Sequence, residues 1–283
     1  MAVAQKVQSM DDRLNRRNFE ALSRYIYDYS GIKMPESKIT MLEGRLRRRL
    51  RATGIGSLDD YCEFLFKKDG MAAESTYLID AVTTNKTDFF REPKHFEFMQ
   101  QSGLRDMVNA GHKRLRIWSS ACSTGAEPYT IAMVLQEFVE SNREIDYSIL
   151  ATDLSTEVLQ AAKRGIYQRD MVLPVPSSML QKYVMMPRDK TRGDIRISPR
   201  LRAKVGFARL NLMDDSYPVG DAMHMIFCRN VLIYFDKPTQ AKVLTRLCDC
   251  LMPGGYLFVG HSESVTGIPL PVKQVANTVF RKI

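Results

Sequence analysis

The sequence lacks the features of a secreted or membrane protein. None of its apolar runs approaches the ~20 residues that an α-helix needs to cross a bilayer, and the first ten residues, MAVAQKVQSM, contain no signal-peptide stretch. The five cysteines are an odd number spread through 283 residues, unlike a compact disulfide framework. We therefore expect a cytoplasmic protein with reduced thiols.

Metal-ligand spacing is also missing. The four histidines form no H-x-x-x-H pair and no cluster with cysteine, and Cys248 and Cys250 lie two apart in a helix-like segment, where they point to different faces. The G-x-G-x-x-G pattern of dinucleotide enzymes does not occur. We expect no metal ion, and a nicotinamide dehydrogenase is disfavoured.

Basic residues are in excess, with 41 Lys and Arg against 32 Asp and Glu, which gives a net charge of +9. This predicts an acidic partner: nucleic acid, an anionic membrane face or an acidic protein. Part of the charge surrounds an apolar stripe of Leu42, Leu46 and Leu50. The alternatives for this segment are a solvated helix face and a docking surface. Its arginines are Arg45, Arg47, Arg48, Arg49 and Arg51.

Two hydrophobic patterns divide the chain. From residue 11 to about 80, apolar residues recur at three and four positions, as in helices. From about residue 114, short apolar runs alternate with amphipathic helices, which is typical of βαβ units and a parallel sheet.

Four apolar runs and three helices are predicted in this second region. The strands are LRIWSS (115–120), YSILATD (147–153), MHMIFCRN (223–230) and YLFVG (256–260), and the helices lie near 128–139, 155–165 and 238–251. Ser155 is the predicted N-cap and Gly165 the predicted stop of the second helix. Between these units, QKYVMMP, DIRIS and KVGFARL predict three short strands of an antiparallel insertion over 179–209.

Polar or small residues follow the predicted strands, where open α/β sheets bind their ligands. Ala121, Ser123 and Gly125 form the turn after the first strand, where the backbone can approach a ligand closely. Asp153 ends the second strand, where a carboxylate can accept both hydrogen bonds of a ribose diol or cap the next helix. Together with residues that follow later strands, they outline an adenosine-sized pocket. These later residues are Asn211, Leu212, Arg229 and Asn230.

Five segments, in a consistent order along the chain, carry a family resemblance. TTNKTDFFREPKHF (83–96), SSACSTGAEPYTIAM (119–133), ATDLSTEVLQAAKRGIY (151–167), FCRNVLIYFD (227–236) and MPGGYLFVGHSES (252–264) resemble motifs of the CheR family of bacterial chemotaxis receptor methyltransferases. The resemblance runs from about residue 15 to the C-terminus.

The resemblance implies an all-α N-terminal domain over 11–82, a linker over 83–105 that contributes to the cofactor site, and a methyltransferase domain over 106–283. The fold class is thus α/β, a Rossmann-like S-adenosylmethionine methyltransferase sheet with a small antiparallel β-subdomain over 179–209. The implied activity is that of a protein-glutamate O-methyltransferase. It would form γ-methyl esters on receptor glutamates and thereby tune receptor signalling and adaptation.

The resemblance also implies which residues form the site. Arg91 and Tyr234 would lie nearest the transferred methyl group. One departure from the family pattern is Ala126, where a second acidic residue often precedes the position of Glu127. The residues implied around S-adenosylmethionine are Asn85, Thr87, Arg91, Glu127, Asp153, Asn211, Leu212, Arg229 and Asn230.

The implied chemistry needs no general base. A glutamate has a reference pKa near 4.3, so at neutral pH it is already a carboxylate nucleophile. The main task is in-line alignment of the reacting atoms. We expect Arg91 to hold the incoming carboxylate or that of the cofactor, and Tyr234 to orient the acceptor. The alternatives are a surface ion pair for Arg91 and a packed aromatic for Tyr234.

The implied partners are acidic receptor helices, which the arginines of residues 45–51 would attract. In the family the β-subdomain can bind the receptor's C-terminal peptide as an edge strand, and the loop RDKTRGD (188–194) would decide this. No nucleic-acid partner and no membrane insertion are expected. A nucleic-acid methyltransferase would need an N-P-P-Y type motif, which is missing. A catalytically silent adaptor is disfavoured because both Arg91 and Tyr234 are present.

Overall fold

A computed structural model describes residues 12–189, 191 and 193–283. The chain divides into two compact units, Met1–Thr84 and Asn85–Ile283. The segment examined for a signal peptide, the first residue of the predicted helical domain, and Lys190 and Arg192 of the loop RDKTRGD lie outside the described residues. Within the described part, no helix is long and apolar enough to cross a membrane.

The described part of the first unit, from residue 12, is helical, as the periodicity predicted, and contains four α-helices. They are α1 (Arg16–Ser30), α2 (Ile39–Thr53), α3 (Leu58–Lys67) and α4 (Met71–Val82), with a 3-10 turn at Glu36–Lys38. Gly31 and Gly54 end α1 and α2 in the left-handed conformation, which glycine adopts without steric cost. The stripe of Leu42, Leu46 and Leu50 is buried in this unit.

The second unit is built on a seven-stranded, mostly parallel sheet with the order β6-β2-β1-β7-β8-β10-β9. This confirms the predicted α/β fold. Strand β10 runs antiparallel to both of its neighbours, whereas the other neighbouring strands are parallel. The strands are β1 (Arg114–Ser119), β2 (Asp146–Asp153), β6 (Val205–Arg209), β7 (Met223–Cys228), β8 (Leu251–Val259), β9 (Val272–Ala276) and β10 (Val279–Lys282).

Helices cover this sheet. Ser155 caps α8 by accepting a hydrogen bond from the Val158 amide at 3.4 Å, and Gly165 ends that helix at a φ of 60°, as predicted. The segment Met99–Gly103 is a π-helix that joins α5 to α6. The helices are α5 (Lys94–Phe98), α6 (Leu104–Asn109), α7 (Ala126–Ser141), α8 (Thr156–Arg164), α9 (Ser177–Tyr183), α10 (Pro199–Arg202) and α11 (Lys237–Cys250).

The strand order reverses at β1, which pairs with β2 on one side and β7 on the other. Helices α7 and α8 pack against β2, and α11 packs against β8. Because parallel crossovers are right-handed, this reversal places α7 and α8 on one face of the sheet and α11 on the other. A crevice therefore opens beyond the carboxyl ends of β1 and β7.

A separate three-stranded antiparallel sheet has the order β3-β5-β4, formed by β3 (Ile166–Gln168), β4 (Val184–Met185) and β5 (Asp194–Ile197). The prediction that KVGFARL (204–210) forms its third strand is wrong. That run is β6, and it pairs in parallel with β2 at the edge of the main sheet. The prediction failed because a short apolar run does not show which strand it pairs with. In the structure, α10 lies between β5 and β6 and returns the chain to the large sheet.

The buried imidazole of His224 predicts acid sensitivity. Burial, together with the nearby His112 ring at 4.8 Å, lowers its pKa from 6.5 to about 4. Between these values the unfolded chain binds a proton that the native protein does not, so the free energy of unfolding falls as pH falls from 6.5 to 4. His224→Asn keeps an acceptor for the Arg116 amide but cannot titrate. We expect the free energy of unfolding, measured with urea between pH 4.5 and 7, to depend less steeply on pH in His224→Asn than in the wild type, by up to about 1.4 kcal/mol per pH unit. Equal pH slopes for the two proteins would contradict this.

Candidate active site

The polar residues predicted at the strand ends meet at the carboxyl edge of the sheet. The turn after β1 is bonded to both neighbouring strands, because Ser120 N donates to Phe227 O at 2.9 Å and Cys122 N donates to Thr152 O at 2.8 Å. The segments that follow β1, β2 and β7 are therefore fixed relative to one another at the reversal point of the sheet.

The turn after β1 has an unusual backbone. Ser123 has a φ of 49° and Gly125 a φ of 95°, which lets α7 begin at Ala126. A side chain at Gly125 would place its Cβ 2.8 Å from Tyr167 Oη, so only glycine fits. The chain can thus turn tightly from β1 into α7.

Asp153 closes the side of the crevice formed by β2. Its Oδ2 accepts a hydrogen bond from Ser123 N at 2.8 Å, and its Oδ1 accepts one from Ser155 N at 3.0 Å. The N-cap of α8 is Ser155, so capping does not account for Asp153. Leu210 N donates to Asp153 O at 3.1 Å, which brings the adjoining Asn211 to the same edge.

Arg229 is the centre of a buried charge cluster. Its side chain is 1% exposed, and its guanidinium lies 3.0 Å from both Glu92 Oε2 and Glu127 Oε2. It also donates to the carbonyl of Arg91 and lies over the Phe96 ring, 5.3 Å from its centre. A buried guanidinium with two carboxylates and a carbonyl has a fixed orientation.

The pKa values of Glu92 and Glu127 are shifted in opposite directions. Burial raises the pKa of Glu127, although Arg229 and the Ser119 hydroxyl, at 2.7 Å, oppose this. Burial also acts to raise the pKa of Glu92, but the Asn230 amide, the Arg229 charge and the His261 backbone amide outweigh it and lower that pKa to about 2. Glu92 is therefore ionised at neutral pH.

A buried carboxylate, Glu263, holds the turn after β7. It accepts hydrogen bonds from the amides of Asn230 at 2.9 Å, Leu232 at 2.7 Å and Gly260 at 2.6 Å. Asn230 has a φ of 58°, a conformation that asparagine tolerates better than most residues, and its side chain donates to Glu92 at 3.1 Å. Glu263 thus fixes the backbone from Asn230 to the 3-10 turn that ends at Tyr234.

The remaining predicted site residues differ in burial and in their contacts. Arg91 is half-buried and donates to the carbonyl of Lys86 at 3.2 Å, while Tyr234 is half-buried on its 3-10 turn. The carbonyl of Asn85 accepts from the Ser123 hydroxyl at 2.8 Å, and Thr87 is half-buried two residues further on. Leu212 is buried beside Asn211.

The five arginines of α2 in the first unit fall into two groups. Arg45 donates to the carbonyls of Val82 and Thr83, Arg47 donates to the carbonyl of Asp12, and Arg49 makes a bidentate ion pair with Glu74 at 2.7 and 3.0 Å. These three guanidinium groups stabilise the unit internally. Arg48 and Arg51 are exposed.

Sequence reasoning missed Glu92, His95, His261 and Glu263 as parts of the site. All four lie in the segments that carry the family resemblance. A signal was available, because a buried arginine requires anionic partners and the only carboxylates predicted around the cofactor were Glu127 and Asp153. Burial and the Arg229 charge also lower the pKa of His95 to about 4, so this ring is neutral at pH 7.

The residues present fit a sulfonium nucleoside. Asp153 offers a carboxylate at the position suited to a ribose diol, and Asn211 and Leu212 supply an amide and an apolar surface. Within the described part of the chain, Arg229 Nε is buried without a hydrogen-bond partner, so it can receive an anionic group such as an amino-acid carboxylate.

The doubly wound sheet and the polar residues at its reversal point define a nucleotide-binding α/β protein. The chain belongs to the CheR methyltransferase family. The family model "CheR methyltransferase, SAM binding domain" matches residues 85–281, and the model "CheR methyltransferase, all-alpha domain" matches residues 17–83.

Curated relatives span nearly the whole chain. The chain is similar to a chemotaxis protein methyltransferase of Borreliella burgdorferi, with 36% identity over 264 residues that cover 92% of each chain. It is 38% identical to the chemotaxis protein methyltransferase of Escherichia coli, over 94% of this chain and 91% of that protein. It is 36% identical to chemotaxis protein methyltransferase 2 of Pseudomonas aeruginosa, over 94% and 92%.

Proposed function

We propose that this protein transfers a methyl group from S-adenosylmethionine to glutamate side chains in the cytoplasmic region of bacterial chemoreceptors, forming γ-methyl esters that tune receptor signalling. The observation that carries the proposal is that the Arg229 cluster, Asn230 and Asp153 all follow strands at the carboxyl edge of one sheet, within a SAM binding domain. The curated relatives, named as chemotaxis methyltransferases, support the choice of substrate.

The role of the chain's own residues would be to bind the cofactor and to align the glutamate substrate with its methyl group. The bound cofactor supplies an electrophilic methyl group on a sulfonium, and a glutamate substrate is already ionised at neutral pH. Asp153 would accept hydrogen bonds from the ribose hydroxyls. Arg229 and Asn230 would form one wall of the cofactor pocket, and Glu92 and Glu263 hold these two residues in place. Arg91 would hold a carboxylate and Tyr234 would orient the acceptor. Alignment of this kind can supply several kcal/mol of rate enhancement.

The chemistry is tested with purified protein, tritiated S-adenosylmethionine and receptor-containing membranes. We expect membrane-bound label that base treatment releases as methanol, because esters hydrolyse under conditions that methylated amines survive. Label on added DNA or RNA instead would identify a nucleic-acid methyltransferase. Absence of affinity for both S-adenosylmethionine and S-adenosylhomocysteine would refute the proposal.

The assignment of Arg91 and Tyr234 is tested separately. Arg91→Ala and Tyr234→Phe should each lower turnover by about 10²-fold, as expected when the reacting atoms are misplaced by about 1 Å. Arg143→Ala, at an exposed position between α7 and β2, serves as a substitution control for folding and expression. Wild-type turnover in both variants would remove these residues from the mechanism.

Arg48 and Arg51 are the arginines of α2 best placed to recognise an acidic receptor helix, because both are exposed whereas Arg49 is paired with Glu74. Exposed charges act over about 10 Å at 0.1 M salt, so their contribution should weaken as salt is added. We therefore infer that these two residues carry most of the electrostatic attraction expected of the α2 arginines.

Arg48→Glu combined with Arg51→Glu should raise the Michaelis constant for receptor severalfold at low salt, and by less at high salt. A matched control reverses Arg17 and Arg24, which are exposed on α1 and produce the same change in net charge. Equal Michaelis constants for the two double variants at low salt would show that only net charge matters.

The small antiparallel sheet is proposed to receive a receptor C-terminal peptide as an added strand. Strand β4 is an edge of that sheet, and Met185 and Met186 beside it are 49% and 47% exposed. Unpaired backbone groups and exposed apolar side chains at an edge favour this mode of binding. Calorimetry with the tail peptides of the organism's receptors tests it; no heat of binding would exclude tethering for those receptors.

A further inference from the structure

Two histidines and a carboxylate converge beside the Arg229 cluster. Ligand atoms of Glu92, His95 and His261 all lie within 4.8 Å of one another. Glu92 and His95 come from the segment before and within α5, and His261 follows β8, so the fold brings them together across the sheet edge. His95 is buried with 1% exposure, whereas His261 is exposed.

The hydrogen bonds of His95 determine which nitrogen faces the other two residues. The Thr278 hydroxyl donates to Asn277 O at 2.8 Å, so its oxygen accepts from His95 Nε2, which lies 2.7 Å away. In this tautomer Nδ1 carries a lone pair rather than a proton. Within the described part of the chain, that buried Nδ1 has no hydrogen-bond partner.

The distance from His95 Nδ1 to Glu92 Oε2 is 3.6 Å. This is too long for a hydrogen bond, and in this tautomer neither atom carries a proton to share. It is close to the separation of about 3.4 Å between two ligands of a tetrahedral ion whose metal–ligand distances are about 2.1 Å. His261 is exposed, so its ring can rotate to supply the third ligand.

We propose that Glu92, His95 and His261 form a binding site for a divalent transition-metal ion, with water completing the coordination. Two imidazoles and one carboxylate favour zinc, cobalt, nickel or copper over magnesium or calcium, which prefer oxygen ligands. The support around the ligands is of the kind found at metal sites: Thr278 orients His95, while Asn230 and Arg229 bond to Glu92.

The positive charge of Arg229 opposes a cation at this place and weakens its binding. The opposition is reduced because Glu92 has two oxygens, each with two acceptor sites, so it can bond to Arg229 and still ligate a metal. No ligand spacing in the sequence indicates such a site, because residue 261 is far from residues 92 and 95 in the chain. The proposed metal site shares Glu92 with the Arg229 cluster, but metal binding can be measured without the proposed methyl transfer.

The test uses the full chain without a histidine tag, titrated with Co²⁺ and followed by visible absorption, and titrated with Zn²⁺ by calorimetry. We expect about one equivalent of saturable binding. His261→Ala should weaken binding at least about tenfold. His95→Gln retains an amide N–H where Nε2 lies but lacks the Nδ1 ligand, and it should weaken binding similarly.

Two control variants remove potential ligands elsewhere. His112→Ala deletes a half-buried histidine beside His224, and Cys250→Ser deletes the only cysteine among the five that is not buried. Both should bind the metals as the wild type does. The proposal is overturned if the wild type shows no saturable binding, if His261→Ala binds with unchanged affinity, or if either control variant loses the site. Thermal unfolding without metal identifies a variant that fails to fold. If His95→Gln fails to fold, the metal affinity of His261→Ala decides the test, because His261 is exposed.

Discussion

Arg229→Met is expected to abolish binding of S-adenosylhomocysteine in calorimetry and to lower the free energy of unfolding by about 3–5 kcal/mol. The substitution roughly preserves volume but leaves Glu92 and Glu127 as buried carboxylates without their cation. It also releases the carbonyl of Arg91, so the segment before α5 loses its bond to the strand end. Urea unfolding provides the second measurement.

Arg200→Met is the matched control. Arg200 also pairs with a carboxylate, Glu140 at 3.2 Å, but its side chain is 61% exposed. Exposed pairs contribute only about 0–1 kcal/mol, so this variant should unfold near the wild-type midpoint and keep its affinity. If the two variants unfold at the same urea concentration, the ion pairs of Arg229 do not contribute the expected free energy of unfolding. Arg229→Lys should rescue only part of the loss, since an ammonium cannot bond to both carboxylates in the same fork geometry.

Glu263→Gln is expected to lower stability by about 2–4 kcal/mol and turnover by at least about tenfold, although the side chain keeps its shape. Both oxygens of Glu263 accept from backbone amides, and a glutamine must direct its own N–H₂ at one set of those donors. The turn from Asn230 to Tyr234 would then relax. Unfolding curves and the receptor methylation assay measure the two effects.

Glu144→Gln gives the same chemical change at an exposed position between α7 and β2 and should alter neither property measurably. The affinity for S-adenosylhomocysteine separates the possible origins of a turnover loss in Glu263→Gln. A fall in turnover with unchanged affinity assigns Glu263 to the alignment of Tyr234. Unchanged turnover and stability would mean that the three amides find other acceptors, contrary to the expected role of this carboxylate.

Local chemistry was sufficient to predict most elements from the sequence. Ser155 and Gly165 set the ends of α8 because a hydroxyl caps amides and glycine adopts positive φ, and both effects need only neighbouring residues. The four apolar runs became β1, β2, β7 and β8. The clearest case is β7, which is buried throughout because both faces of a parallel sheet are covered.

Long-range partnerships were not predictable in this way. Arg229 and Glu92 are 137 positions apart, so nothing local in either segment marks their ion pair. The strand β6 was assigned to the wrong sheet for a similar reason, since its apolar pattern is equally compatible with both. Arg49 was predicted as part of a docking surface, but it pairs with Glu74, which a list of charges cannot reveal.

Two non-glycine residues at the candidate site, Ser123 and Asn230, have positive φ. Each such conformation costs on the order of 1 kcal/mol, which the rest of the fold must supply. A thermostability screen of random variants would therefore favour glycine at these positions, because glycine removes the cost. Engineers who select for heat resistance alone would thus gain a hardier protein at the expense of the side chains that shape its crevice.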